Sequence, residues 1–238
     1  MTKLSSEAAG IDLYWLPLGA GGNFVRLNGR LYEAIEARLQ HRKPNALYHS
    51  GLEVIVPEGR YVIEQTPVVN NDGPQRGVVA EGPVGARWAG RWRIFRYEVR
   101  RWRNGVIPDA NEAVDSPRRL TTNLDQARRL LDLVPRVPTL VWGRDDLKAG
   151  EMWNSNSIIS WLLARTGIDV AAIKPPAGGR APGWNAGLLL AKQEAASWPV
   201  HQLRFEGDVI GAGSTAVVAG ARSGIPNETR GGPSHEND

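Results

Sequence analysis

Cysteine is absent from all 238 residues of the chain. That absence excludes disulfides, thiolate metal sites and a cysteine nucleophile. No run of about 18 apolar residues is present to cross a bilayer as a helix, so an integral membrane protein is not expected. The opening stretch "MTKLSSEAAGIDLYWLPLGAGG" holds a single lysine and no compact apolar segment ending in small residues. It therefore does not read as a secretory signal, and the expected location is cytoplasmic. Histidines number only four and none stands at metal-ligand spacing, so neither metal nor cofactor is expected. Charge of one sign is also in short supply. With 29 Lys and Arg against 25 Asp and Glu the net charge is +4, compatible with an anionic partner but modest for a dedicated nucleic-acid binder.

What is present is the composition of a soluble globular protein, 42% hydrophobic and 23% charged, long enough to bury a sizeable core in one domain. That domain is expected over residues 1–200. Residues 201–238 are rich in Gly, Ser and Pro with few large apolar side chains, the pattern of a flexible tail.

Local patterns give an order of elements. "IDLYWLPLGAG" reads as a strand entering a glycine turn, and "VRLNGRLYEAIEARLQHR" has the 3.6-residue spacing of a surface helix. "ALYHSGLEVIV" and "RYVIEQTPVV" flank "PEG" at residues 57–59 and predict a hairpin. A Gly/Pro-rich connection follows at residues 70–85. "RIFRYEVRRW" then alternates Phe95, Tyr97 and Val99 with Arg96, Glu98 and Arg100, as a strand with one buried face does. "NLDQARRLLDLV" predicts a short helix stopped by Pro135. "WNSNSIISWLLARTG" predicts another, starting between Asn154 and Asn156 and ending at Gly167. A loop from residue 174 leads to a last helix over 188–196. The fold class that accommodates this order is α+β, an antiparallel sheet packed against helices.

Within that frame two sites carry chemistry. His49 lies in a strand next to a second strand holding Glu64 among apolar neighbours, where an unpaired carboxylate is costly. Adjacent strands lie about 5 Å apart, so the imidazole and carboxylate can share a side of the hairpin. Ser155 opens a helix, where unpaired N–H groups and the positive dipole end favour negative charge on an attacking oxygen and on a substrate oxyanion. The same Ser-Asn-Ser run also suits a plain helix cap.

Together "YHSGLEV", residues 48–54, "VIEQTP", residues 62–67, and "NSNSI", residues 154–158, resemble the circularly permuted branch of the papain-like NlpC/P60 superfamily. That branch includes lecithin retinol acyltransferase-like enzymes, PPPDE peptidases and YiiX-type amidases, and the likeness spans roughly residues 11–167. It implies a permuted papain-like fold with His49 as base, Glu64 as the residue orienting it and Ser155 in the position of the family's cysteine. Tyr48, Asn154 and Asn156 are the candidate oxyanion and substrate-binding residues. The implied activity is an amidase or esterase working through an acyl-serine on a small-molecule, lipid or peptide substrate. A serine depends wholly on a well-held base, which a carboxylate behind the imidazole can supply. The alternative is a catalytically inactive binding module of the same fold, and a weaker one is a nucleic-acid-binding accessory protein.

The last notable stretch, "RWAGRWRIFRYEVRRWRNG" at residues 87–105, holds seven arginines and three tryptophans against one glutamate. It predicts a strand with an arginine-rich outer face and tryptophans covering the edge of the core, in preference to a nucleic-acid surface; peripheral contact with an anionic membrane is a further option. The adjacent carboxylates of "WGRDD" at residues 142–146 read as solvated, and His41, His201 and His235 have no partner that the sequence identifies.

Overall fold

The computed structural model describes residues 8–21, 46–68, 77–107 and 109–197. By contacts the chain divides into two units, Met1–Trp198 and Pro199–Asp238. The expected tail, the helix expected over residues 25–42, His41, His201 and His235 all lie outside the described residues.

The described part of the first unit is α+β. Strands β1 (Gly10–Gly21), β2 (Ala46–Val56), β3 (Gly59–Pro67), β4 (Val78–Pro83), β5 (Arg96–Arg103) and β6 (Val114–Thr121) form an antiparallel sheet in the order β4-β5-β3-β2-β1-β6. A two-residue strand, β7 (Gly179–Arg180), adds parallel to the start of β2. The β2–β3 hairpin is the one expected: Val56 pairs with Gly59 across Pro57 and Glu58, and Gly59 takes φ +144°, open to glycine.

Among the described residues three helices complete the fold, α1 (Leu124–Leu133), α2 (Ser155–Thr166) and α3 (Trp184–Ser197). Each boundary has a chemical cause. Asn123 Oδ1 accepts from the Asp125 and Gln126 N–H groups at 2.8 and 3.0 Å and starts α1. Asn154 starts α2, and Gly167, at φ 84°, ends it. Helices α2 and α3 cross closely because Gly187 has no side chain: a Cβ there would meet the Ser157 carbonyl oxygen at 2.0 Å.

The two faces of the sheet differ sharply. On one, Leu13 and Trp15 of β1, Leu52 and Val54 of β2, Ile63 of β3 and Val99 of β5 pack with Leu130 of α1 and Ile158, Ile159 and Leu162 of α2 into the main core. On the other, only Leu16, Val62 and Ile107 form a small apolar cluster. Tyr14, Ala110 and Ala113 pack against this cluster, and much of the rest of the face is ionic. Asp12 receives a bidentate pair of bonds from Arg119 at 2.6 and 2.9 Å, Glu53 meets Arg60 at 3.0 Å and the Tyr14 hydroxyl at 3.3 Å, and Arg100 bridges Glu64 and Glu98.

Three sequence expectations change. Phe95 is not on the buried face of a strand, because β5 begins at Arg96 and residues 93–95 form a 3₁₀ turn that leaves Phe95 exposed. The Gly/Pro-rich connection contains β4, and "VDSPRRLT" forms the edge strand β6 despite its proline, as edge positions allow. The last helix begins at Trp184, four residues before the apolar run that marked it.

Candidate functional site

Two of the three stretches that carry the family resemblance, residues 48–54 and 154–158, touch each other, but through Asn156 and not through Ser155 or His49. Asn156, in the first turn of α2, donates from Nδ2 to the Tyr48 carbonyl at 2.9 Å and accepts from the Ser50 hydroxyl at 2.8 Å. It also donates to the Pro182 carbonyl at 2.9 Å. These bonds fix the start of α2 over the first half of β2, on the core face of the sheet.

Alternation along β2 then decides where His49 goes. Ser50 points to α2, so its neighbour His49 points to the opposite face, as do Gly51 and Glu53. Pairing agrees: His49 stands opposite Leu16 of the small cluster, and Ser50 opposite Trp15 of the main core. The imidazole is partly buried there, under the segment that carries Ile107 and Asp109. A Cβ on Gly51 would stand 3.9 Å from Ile107. Loss of water pushes the His49 pKa down from 6.5 to about 4, opposed by the negative charge of Asp109, so the ring is neutral near pH 7.

Glu64 shares that face, as its alternation with Ile63 requires. Its carboxylate is held by Arg100 Nη1 of β5 at 3.1 Å, and the same guanidinium binds Glu98, two residues earlier on β5. Arg100 is the partner that the sequence required for Glu64, and reading the segment as an exposed arginine-rich face concealed it. Glu98 and Arg100 are buried.

Ser155 sits at the start of α2, buried on the core side, and among the described residues its hydroxyl has no hydrogen-bond partner. Asn154 acts as the cap: Oδ1 accepts from the Asn156 N–H at 2.9 Å, Nδ2 donates to the Pro182 carbonyl at 2.8 Å, and its own N–H donates to the Ser157 hydroxyl at 3.0 Å. The Tyr48 ring lies against Gly179 of β7, where a Cβ would come within 2.3 Å of it. The structure thus brings Asn154, Ser155, Asn156 and the Tyr48 backbone together. His49 and Glu64 lie on the other side of the sheet, and the three-residue constellation of serine, histidine and glutamate is not assembled. The physical reason is parity, since strand neighbours face opposite ways.

Two features escaped the sequence reading. Gln65, on the core face, is 8% exposed, and among the described residues neither its amide nitrogen nor its oxygen finds a partner. The connection from β4 to β5 is the second. Residues 85–95 form a closed loop, tied at its base by the Val84 N–H to the Phe95 carbonyl at 2.8 Å and rolled into 3₁₀ turns over Arg87–Arg91 and Arg93–Phe95. Buried Ala89 anchors it, while Trp88, Trp92, Ile94 and Phe95 project outward. The expectation that these tryptophans cover the core is corrected: the tight turns leave no strand face on which they could fold back.

The "WGRDD" carboxylates are engaged within the protein. Asp145 caps a turn by accepting from the Ala149 and Gly150 N–H groups at 2.7 and 2.9 Å, and Asp146 faces Arg144 and Arg87 at 3.3 and 3.9 Å. Among the described residues no group of three His, Asp or Glu side chains could hold a metal ion, and no helix is long and apolar enough to cross a membrane. Set against known proteins, the chain matches no family profile, no curated protein and no solved structure.

Proposed function

We propose that the chain is a catalytically silent binding module on a permuted papain-like scaffold, and that its binding surface is the arginine–tryptophan loop at residues 85–95. Support for the scaffold comes from the bonds that join "NSNSI" to "YHSGLEV" through Asn156. The single observation that carries the loss of chemistry is the opposition of Ser50 and His49 across β2: a serine hydroxyl needs a base within about 3 Å, and a sheet stands between them. Glu64, on the same face as His49, binds Arg100. The loop is favoured as the working surface because four of the six large apolar side chains exposed among the described residues stand on it, together with three arginines. Single exposed apolar residues are ordinary, whereas a cluster marks a contact site.

A fluorophosphonate probe and a broad panel of esters and amides test the silent site. The expected result is no labelling of Ser155 and no turnover that differs between the native chain and Ser155→Ala. Turnover lost on Ser155→Ala and on His49→Ala would overturn the reading.

A further inference from the structure

We infer that the loop at residues 85–95 docks the protein onto an anionic lipid surface, an assignment that rests on reading that loop as the binding surface. Its sequence from Arg87 to Phe95 is "RWAGRWRIF", three arginines with no carboxylate. Trp88 is 65% exposed, Ile94 68%, Trp92 46% and Phe95 43%. Exposing these groups to water has an energetic cost that a folded protein ordinarily avoids, and an interface that is apolar below and anionic above removes it.

The alternative anionic partner is single-stranded nucleic acid, and the geometry disfavours it. Base binding uses open, flat aromatic faces as stacking platforms. Here Trp88 and Trp92 meet edge to face, with ring centres 5.7 Å apart and planes at 84°, and Trp92 meets Phe95 at 72°. One face of Trp92 is covered by the Arg91 guanidinium, 4.4 Å from the ring centre. The most exposed apolar residue, Ile94, has no π-system to stack, yet it suits insertion among acyl chains. The loop is also prepared to carry this load. Its base is closed by the Val84–Phe95 bond, and Arg96 braces it by donating from Nε to the Gly90 carbonyl and pairing with Glu81 at 3.2 Å. The side chains are therefore presented without a large ordering cost at the moment of binding.

Co-sedimentation of the whole chain with vesicles tests the proposal. Vesicles of phosphatidylcholine with phosphatidylserine should bind the protein and shift its tryptophan emission to the blue, and pure phosphatidylcholine should bind far less. Loss of Arg87, Arg91 and Arg93 to serine should weaken binding about fivefold per arginine, on the order of 100-fold in total. Ile94→Ser should weaken it about tenfold. All four positions are exposed, so thermal unfolding should be unchanged, which separates loss of binding from loss of fold. Absence of binding to the phosphatidylserine vesicles, or binding that survives both sets of substitutions, overturns the proposal. So does a salt-sensitive gel shift with single-stranded DNA in place of vesicle binding, or self-association abolished by Ile94→Ser in its place; either would still leave the loop as the binding surface. Hydrolysis dependent on Ser155 would overturn the silent site and leave the lipid result standing.

Discussion

The two faces of one sheet illustrate different solutions to burial. The core face is mainly apolar: aliphatic and aromatic side chains meet α1 and α2, its buried polar groups are amides and hydroxyls, with Asn156 engaging Ser50 and the Tyr48 and Pro182 carbonyls, and Arg101 donates to the Leu131 carbonyl of α1. The second face holds ions in sets, buried Asp12 with the more exposed Arg119, buried Glu53 with the exposed Arg60, and buried Arg100 between Glu64 and Glu98. An apolar face draws its stability from area removed from water, roughly 25 cal/mol per Å² of apolar surface. An ionic face has no such surplus, since desolvation offsets most of the attraction, but it penalises removal of any one member heavily. His49 and Glu64 belong to the ionic face and Ser155 to the mainly apolar one, so the three side chains stand on opposite sides of the sheet.

The largest effect that separates the faces should come from Arg100→Met. It leaves the buried Glu98 carboxylate and the partly buried Glu64 carboxylate without that guanidinium and is expected to lower stability by about 3 kcal/mol in chemical denaturation. Adding Glu64→Gln and Glu98→Gln should recover much of the loss, whereas failure to recover it would mean that the arginine contributes mainly by packing. On the mainly apolar face, Asn156→Ala removes bonds to Ser50, Tyr48 and Pro182 at once and should cost about 2–3 kcal/mol by the same measurement. A null result would show that these groups find other partners.

The smallest effect is the pH dependence from His49. A folded pKa near 4 against an ordinary 6.5 means that the unfolded chain binds the proton more readily between those values. Stability from this group is therefore fully present above pH 6.5 and lost as pH falls toward 4, by up to about 2 kcal/mol given that the ring keeps some exposure. His49→Gln should flatten that part of the stability curve, and an unchanged slope would place the acid sensitivity in other groups.

Much of the fold was legible in the sequence. The β2–β3 turn, the α1 cap at Asn123, the Asn154 start and Gly167 stop of α2 each depend on a few adjacent residues, and such local chemistry survives in the tertiary structure. Strand β4 was hidden because "VVAEGP" sits among glycines and prolines that suggest a loop. The start of α3 was hidden because Trp184, Asn185 and Gly187 are poor helix formers, held there by packing on α2. The outward loop was misread because an alternating pattern of arginine and aromatic residues fits a strand as readily as two successive 3₁₀ turns.

By itself the sequence determined that no cysteine could act as nucleophile, that a hairpin carries His49 and Glu64, and that Ser155 opens a helix. Which face each side chain occupies was decided only in three dimensions. In β2 the residues from Ser50 to Val56 are buried on both faces, so the apolar pattern that ordinarily reveals the inward side is erased. The choice falls instead to Asn156, whose bonds to Ser50 and Tyr48 turn one face of the strand toward the helix and the imidazole away from it.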